Sequence, residues 1–240
     1  FRALFYFDKV RQWGDVPFYK GTVGASDAPK AANSRDYVVY QAYDLMISAA
    51  EALTQEVFEV PVRINRWVAL GFAARAALFE GSYLKYSGEQ GWEEYMQMAQ
   101  DCCSKIMESG LFEVYSAPGW QPSNAYRNLF AMEVISPKEA LLLRLYNTDD
   151  CLSEINSIYS ESGLGATPRF RNHYQIINGS SITTRPGYET EGMEQTFLAR
   201  DPRMAQTLWS PGCRELDSGA EIAFEQGSAT GYPPLKFRKG

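Results

Sequence analysis

The stretch that decides the fold is RINRWVALGFAARAALFEGSYLKYSG, which runs from Arg63 to Gly88. Small residues recur in this stretch at steps of three and four, so they share one face of a helix. They are Ala69, Ala73, Ala76 and Ala77. Alanine is the best helix former, and its small side chain lets a second helix approach closely. Gly88 suits a left-handed residue after the last turn. The sequence therefore predicts a helix over 63–88 that packs tightly against other helices.

Helical patterns flank this stretch on both sides. The segment FRALFYFDKVRQW predicts a helix over Phe1–Trp13, and Ser34 is a good N-cap for a helix over 34–56. Beyond Gly88, apolar residues at helical spacing predict another helix that closes at Gly110. Its buried face is expected to contain Trp92, Tyr95, Ala99, Cys103, Ile106 and Met107. The sequence predicts a mainly α fold, with tetratricopeptide-like helical hairpins forming an α-solenoid scaffold over 1–115.

The character of the sequence changes in the second half of the chain. Residues 116–240 are rich in Gly, Ser, Thr and Pro and contain few long periodic segments. Loops held on a rigid scaffold are where binding residues usually lie. We therefore expect 116–240 to be a loop-rich, ligand-facing part of the same domain.

Composition excludes several classes of function. The formal net charge of -6 over 240 residues argues against binding to nucleic acid, because no basic stripe is available for phosphates. No apolar run is long enough to span a membrane, and no signal peptide is present. The four cysteines show no CxxC spacing, so neither a zinc site nor another metal site is predicted. The chain opens inside a helical pattern, so we interpret it as a piece of a longer protein.

Aromatic residues make up 14% of the chain and supply the candidate binding residues. Four of them lie in predicted loops beside polar or proline residues, namely Trp120, Tyr159, Tyr188 and Trp209. Each could stack on a ligand such as a sugar ring, or could cap the core of the scaffold. Trp67 and Trp92 lie on helical faces and are expected in the core.

No constellation in the sequence predicts catalysis. The Arg200-Asp201-Pro202-Arg203 stretch suits a helix start, with Asp201 as N-cap and Pro202 in the first position, and its arginines tying loops to the scaffold. The adjacent acids Glu93–Glu94 and Asp149–Asp150 do not establish the separated carboxylates of a glycosidase. His173 is the only histidine and no nucleophile motif accompanies it.

Five segments, in order along nearly the whole chain, resemble one protein family. They are FRALFYFDKVRQWGDVPFY, the alanine-rich stretch 63–88, AQDCCSKIMESGLFEV, FLARDPRMAQTLW and TGYPPLKF. The Arg-Asp-Pro-Arg core and the late Gly-Tyr-x-x-x-Lys are the most specific. Together they resemble the SusD/RagB family of outer-membrane nutrient-binding lipoproteins. The family's lipidated N-terminal cysteine and its last alanine- and glutamate-rich helix have no counterpart here.

This resemblance implies a non-catalytic protein on the cell surface, anchored in the outer membrane by a lipid that this chain does not contain. The implied role is to bind polysaccharide or oligosaccharide and to deliver it to a SusC-like TonB-dependent transporter. No cofactor is implied. Three alternatives stay open at this stage: a member of the same family that binds peptide, an α-helical glycoside hydrolase, and a tetratricopeptide-like scaffold that binds protein segments only.

Overall fold

The computed structural model describes residues 1–24, 26, 30–116, 124–132, 138–146, 163–224 and 228–236. The chain divides into two compact units. The first unit comprises Phe1–Val114 and Pro137–Arg144, and the second comprises Tyr115–Ser136 and Leu145–Gly240. The division predicted from the sequence, at residue 115, stays a prediction.

The described residues of the first unit form long helices. They are α1 (Arg2–Trp13), α2 (Arg35–Ala52), α3 (Arg66–Ser87) and α4 (Trp92–Glu108). Helices α3 and α4 form a hairpin, and α1 packs on α2, which packs on α3. The mainly α fold with helical hairpins is confirmed.

The alanine face of α3 lies in the core of the first unit, as predicted. All four of its alanines are buried, and Ala73, Ala76 and Ala77 are fully inaccessible to solvent. The close approach extends to Gly81, where a Cβ would lie 3.1 Å from the carbonyl oxygen of Trp92 on α4. Gly88 adopts the predicted left-handed conformation, with φ of 77°. Small residues thus let α3 pack directly against its neighbours.

The predicted start of α3 is wrong by three residues. The helix begins at Arg66 because the side chain of Asn65 accepts a hydrogen bond from the Val68 N–H, 3.0 Å away. The asparagine also donates to the Glu56 carbonyl oxygen at 2.9 Å. This buried amide fixes both the helix start and the preceding loop.

The start of α2 shows a cap that the sequence did not predict. Ser34 occupies the N-cap position, but its side chain makes no capping hydrogen bond. The carboxylate of Asp15 instead accepts from the Arg35 N–H at 2.8 Å. The helix ends at Ala52 rather than at Glu56, because Leu53 takes an extended conformation.

The buried face of α4 differs from the predicted one by part of a turn. Tyr95, Ala99 and Cys102 are buried, whereas Cys103 is exposed and Met107 is 70% exposed. Trp92 packs partly buried against the same core, and Trp67 on α3 is buried. The two tryptophans are therefore in the core, as predicted.

One buried ion pair joins α2 to α3. The guanidinium of Arg35 donates to both oxygens of Glu80, with a shortest distance of 2.7 Å, and the Glu80 side chain is fully buried. Arg35 also stacks on Tyr83, 3.6 Å from the ring centroid. A buried carboxylate requires such a partner, since its charge is costly away from water.

The described residues of the second unit form short helices and loops. The helices are α5 (Ala125–Ala131), α6 (Pro168–His173), α7 (Met193–Phe197) and α8 (Pro202–Thr207), with a 3₁₀ turn at Ile182–Thr184. Isolated β-bridges join Ile176 to Arg200, Leu208 to Pro234 and Arg214 to Glu221. Met204, Leu208 and Tyr232 form a small buried apolar cluster in this unit.

The Arg-Asp-Pro-Arg stretch starts α8 as predicted. The Asp201 side chain accepts from the Arg203 N–H at 2.9 Å, and Pro202 holds the first helical position. Arg200 is buried and donates to the carbonyl oxygens of Arg171 and Tyr174 at 2.8 and 2.6 Å. Arg203 is exposed and pairs with Asp201, so the prediction that it ties a loop to the scaffold is wrong, and the two bonds of Arg200 lie within the second unit.

Candidate ligand-binding site

Two of the four candidate aromatics, Tyr188 and Trp209, belong to the described residues of the second unit. Trp120 and Tyr159 lie outside the described residues.

Trp209 is partly buried and lines a shallow groove. Its indole N–H donates to the Ile222 carbonyl oxygen at 2.9 Å, so the polar atom of the ring is already used. Phe224 packs edge-on against the indole, with the ring centroids 4.8 Å apart. The groove measures about 460 Å³, and its other lining residues are Gly192, Met193, Glu194, Gln195 and Pro211. An indole fixed in this way can offer its face to a flat apolar ligand surface.

Tyr188 is partly exposed on the turn that follows the 3₁₀ helix. Its hydroxyl donates to a carboxylate oxygen of Glu189 at 3.1 Å, and this bond raises the pKa of the phenol. Its backbone N–H bonds to the carbonyl oxygen of Arg185. The phenol therefore stays protonated at neutral pH, and the Glu189 carboxylate lies beside its hydroxyl.

Arg185 ties the Tyr188 turn to the wall of the Trp209 groove. Its guanidinium pairs with Glu191 and donates to the carbonyl oxygens of Gln195 and Leu198, at 3.1 and 3.0 Å. Gln195 also lines the Trp209 groove. The two candidate aromatics are thus connected through α7, and ligand contact by either of them stays a prediction.

A second concavity, which we call the aromatic cleft, was not predicted from the sequence. Its wall consists of Tyr126, Phe170 and Tyr174, which line two adjoining cavities of about 530 and 410 Å³. The larger cavity forms an apolar end with residues that include Leu164 and Leu208. The smaller one forms a polar end lined by His173, Gln175, Asp201 and Arg203.

The polar end of the cleft contains an ordered ion pair. Both Asp201 oxygens accept from the Arg203 Nε at 3.0 Å, and this hydrogen bonding lowers the pKa of the carboxyl. His173 is exposed at the end of α6. Among the described residues, no group of three or more His, Cys, Asp or Glu side chains could hold a metal ion.

Within the part of the chain that the structure describes, no helix is long and apolar enough to cross a membrane.

The acids Glu93 and Glu94 lie in the first turn of α4, and Asp149 and Asp150 lie outside the described residues.

Solved structures with a similar fold come from Bacteroides. A SusD-like protein from Bacteroides fragilis matches with a TM-score of 0.70 over 98% of this chain and 49% of its own, at 18% identity. A SusD-like carbohydrate-binding protein from the same species matches with a TM-score of 0.65 over 98% and 46%, at 15% identity. Another, from Bacteroides vulgatus, matches with a TM-score of 0.50 over 72% and 37%, at 16% identity. This chain has the SusD-like fold.

The resemblance seen in the sequence is therefore confirmed at the level of the fold. The sequence matches no protein-family model and no curated protein. The chain spans about half the length of the two Bacteroides fragilis proteins.

The aromatic cleft of this SusD-like chain combines residues from distant segments. Tyr126 lies on α5, Phe170 on α6 and Asp201 directly before α8. The Arg-Asp-Pro-Arg motif, the late Gly-Tyr-x-x-x-Lys motif and His173 were singled out in the sequence and contribute to the cleft, but none of them indicated a ligand site there. No local pattern could identify Tyr126 or Phe170 as neighbours of Asp201.

Proposed function

We propose that this protein binds polysaccharide or oligosaccharide at the outer surface of a bacterium without transforming it. In the proposed role it delivers the glycan to a SusC-like TonB-dependent transporter in the outer membrane. The full-length protein would be held there by a lipid anchor. The SusD-like fold supports this proposal, because two of the similar structures are carbohydrate-binding proteins.

The observation that carries the proposal is the arrangement at Trp209. An indole whose N–H is bonded to the backbone, beside a groove of about 460 Å³, is held ready for stacking on a sugar ring. Tyr188 adds a phenol with a neighbouring carboxylate for hydroxyl groups. Trp120 and Tyr159 are proposed to contribute in the same way. Binding of this kind requires no cofactor or metal.

A glycan array with the full-length protein, followed by calorimetric titration of the best ligand, tests the proposal. We expect Trp209→Ala to weaken binding about five- to tenfold, since one aromatic contact is worth about 1 kcal/mol. Tyr188→Ala, Trp120→Ala and Tyr159→Ala are expected to have similar or smaller effects. Trp13→Ala is a matched control, because Trp13 is 72% exposed on α1 of the first unit.

Two outcomes would contradict the proposal. Binding to peptides with no response on the glycan array would favour the peptide-binding alternative. New reducing ends, appearing when the protein is incubated with its glycan, would indicate a hydrolase.

For the transporter, we expect the lipidated full-length protein to co-purify with a TonB-dependent outer-membrane protein.

A further inference from the structure

We propose that the aromatic cleft is a second sugar site, separate from the Trp209 groove, and that it takes an uncharged sugar. This inference rests on the proposed function, since it assigns a second site for the same class of ligand.

The wall of the cleft offers rings for stacking. Phe170 is 45% exposed and meets Tyr174 edge-on, with the ring centroids 5.7 Å apart. Tyr126 packs edge-on against Phe130 at 5.1 Å. Burial raises the pKa of the Tyr174 phenol, so this hydroxyl remains a donor at neutral pH. An edge-to-face contact covers one face of only one ring of the pair, so each pair keeps further ring faces, and the adjoining cavities have the volume of a small-molecule site.

The polar end offers donors and acceptors side by side. Asp201 presents carboxylate oxygens, and Arg203 presents guanidinium N–H groups on a side chain that is 64% exposed. The amide of Gln175 lines the same end. Each sugar hydroxyl can donate one hydrogen bond and accept others, so a mixed set of this kind suits it.

The charges around the cleft already have partners. Asp201 is paired with Arg203, and the Lys236 ammonium donates to the Tyr126 hydroxyl at 2.7 Å while lying 3.6 Å from the Phe130 ring centroid. An acidic ligand would have to compete with these contacts for the cations. An uncharged ligand leaves them intact, and for this reason we assign the cleft to neutral sugars.

The cleft and the Trp209 groove lie on opposite sides of one extended segment. Leu208 has extended backbone angles, with φ of -116° and ψ of 144°, so the side chains of Leu208 and Trp209 point in opposite directions. Leu208 lines the apolar end of the cleft, and Trp209 lines the groove. One sugar ring therefore cannot contact both. Two weak sites on one protein would strengthen the binding of a polymer through multivalency.

Calorimetric stoichiometry on the full-length protein tests this inference. The probes are maltohexaose, xylohexaose and mannohexaose as neutral ligands and hexagalacturonate as an acidic one. We expect the wild type to bind two equivalents of a neutral hexasaccharide. Phe170→Ala and Trp209→Ala should each weaken one of the two equivalents about five- to tenfold and leave the other unchanged, and the double variant should weaken both. Affinity should change less than about twofold between about 50 and 500 mM salt, because no net charge is recognised.

Three controls keep the outcome interpretable. Phe170→Tyr keeps the ring and should retain two equivalents, and Ile177→Ala removes a side chain that is 72% exposed without touching the cleft. Arg203→Gln, at an exposed position, provides a second test of the cleft and should weaken its site about threefold or more. Unfolding curves of each variant establish that it is folded.

The outcomes separate this inference from the proposed function. If the wild type binds one equivalent, which Trp209→Ala weakens and Phe170→Ala leaves unchanged, the second site is wrong and glycan binding stands. If only hexagalacturonate occupies the cleft, the assignment to neutral sugars is wrong. If no glycan binds the wild type, here or on the array, both proposals fail together.

Discussion

The first and second units bury their backbone polar groups in different ways. In the first unit, α1 to α4 satisfy most N–H and C=O groups within the helices. What remains to be buried is apolar, and the alanine face of α3 lies in that apolar core. The core of the first unit contains few polar side chains. One of them is Glu80, which is paired with Arg35.

The second unit relies on buried guanidinium groups. Arg127, Arg171 and Arg200 are all buried there. Arg127 donates to the Arg214 carbonyl oxygen at 2.6 Å, and Arg171 donates to the Tyr232 hydroxyl at 2.8 Å. Burial, followed by the nearby charges of Arg185 and Arg171, lowers the pKa of the Arg200 guanidinium. Arg127 and Arg200 thus donate hydrogen bonds to backbone carbonyl oxygens, and Arg171 donates to a side-chain hydroxyl.

This difference shows how a loop-rich surface can be held in place. Loop carbonyl groups that leave water need a donor, and one guanidinium can serve several of them at once. Loops fixed in this way can present aromatic rings in irregular positions, which a regular helix face cannot do. Three substitutions test the comparison, in order of decreasing expected effect.

The largest effect is expected for Arg200→Met, which removes the donor of the Arg171 and Tyr174 carbonyl oxygens. The Arg171 carbonyl oxygen keeps the Tyr174 N–H at 3.3 Å, but loss of both hydrogen bonds from this buried guanidinium should lower the free energy of unfolding by about 3–5 kcal/mol. Urea unfolding measures this loss. Hydrogen exchange should show lost protection at Ile177 and Asp201, whose amides donate to Ala199 and Gln175.

The matched control is Arg203→Met, from the same motif but exposed. Its pair with Asp201 lies at the surface, where such pairs contribute about 0–1 kcal/mol. Equal losses for the two variants would contradict the role given to the buried arginine. Equal loss of protection in α3 would show that the effect is not specific to the second unit.

An intermediate effect is expected for Ala73→Leu on α3. Ala73 is fully buried, so the larger side chain must displace its neighbours, at a cost of about 1–3 kcal/mol. Thermal or urea unfolding measures it. Arg75→Leu, an exposed position on the same helix, should stay within about 0.5 kcal/mol of the wild type. A tolerated leucine at Ala73 would mean that tight helix packing does not hold the first unit together.

The smallest effect is expected for Tyr95→Phe. The Tyr95 hydroxyl donates to the Asp36 carboxylate at 2.6 Å, which links α4 to α2. Its loss should cost about 1.5 kcal/mol, since the acceptor is charged. Tyr43→Phe is the control. Among the described residues, the hydrogen-bond partner of its hydroxyl is the Cys102 sulfur, at 3.5 Å, which is a weaker partner than a carboxylate. A cost for Tyr95→Phe above that of Arg200→Met would reverse the comparison between the units.

The sequence predicted the first unit well because its signals are local. The spacing of Ala69 to Ala77 depends on the helical repeat alone, and Gly88 marks a helix end through its own backbone freedom. The hydrogen bonds that cap these helices were less predictable than the helices themselves. Asp15 caps α2 from 20 residues away, and the side chain of Asn65 fixes the start of α3 while bonding to Glu56.

The second unit was much less predictable. The prediction of Asp201 as N-cap succeeded because the cap lies within its own turn. Nothing near Arg200 in the sequence indicates that its guanidinium reaches Arg171, 29 residues away. The choice among the loop aromatics has the same difficulty, because stacking on a ligand and capping a core use the same residue type.

The sequence alone determined the long helices of the first unit, the alanine face and the mainly α fold class, because helical periodicity and caps act over a few residues. Only the tertiary structure decided which arginines are buried, that Trp209 lines a groove, and that Tyr126, Phe170 and Asp201 meet in one cleft. Those facts depend on which distant segments come together. Contacts between loops follow no sequence periodicity, so no local pattern predicts them.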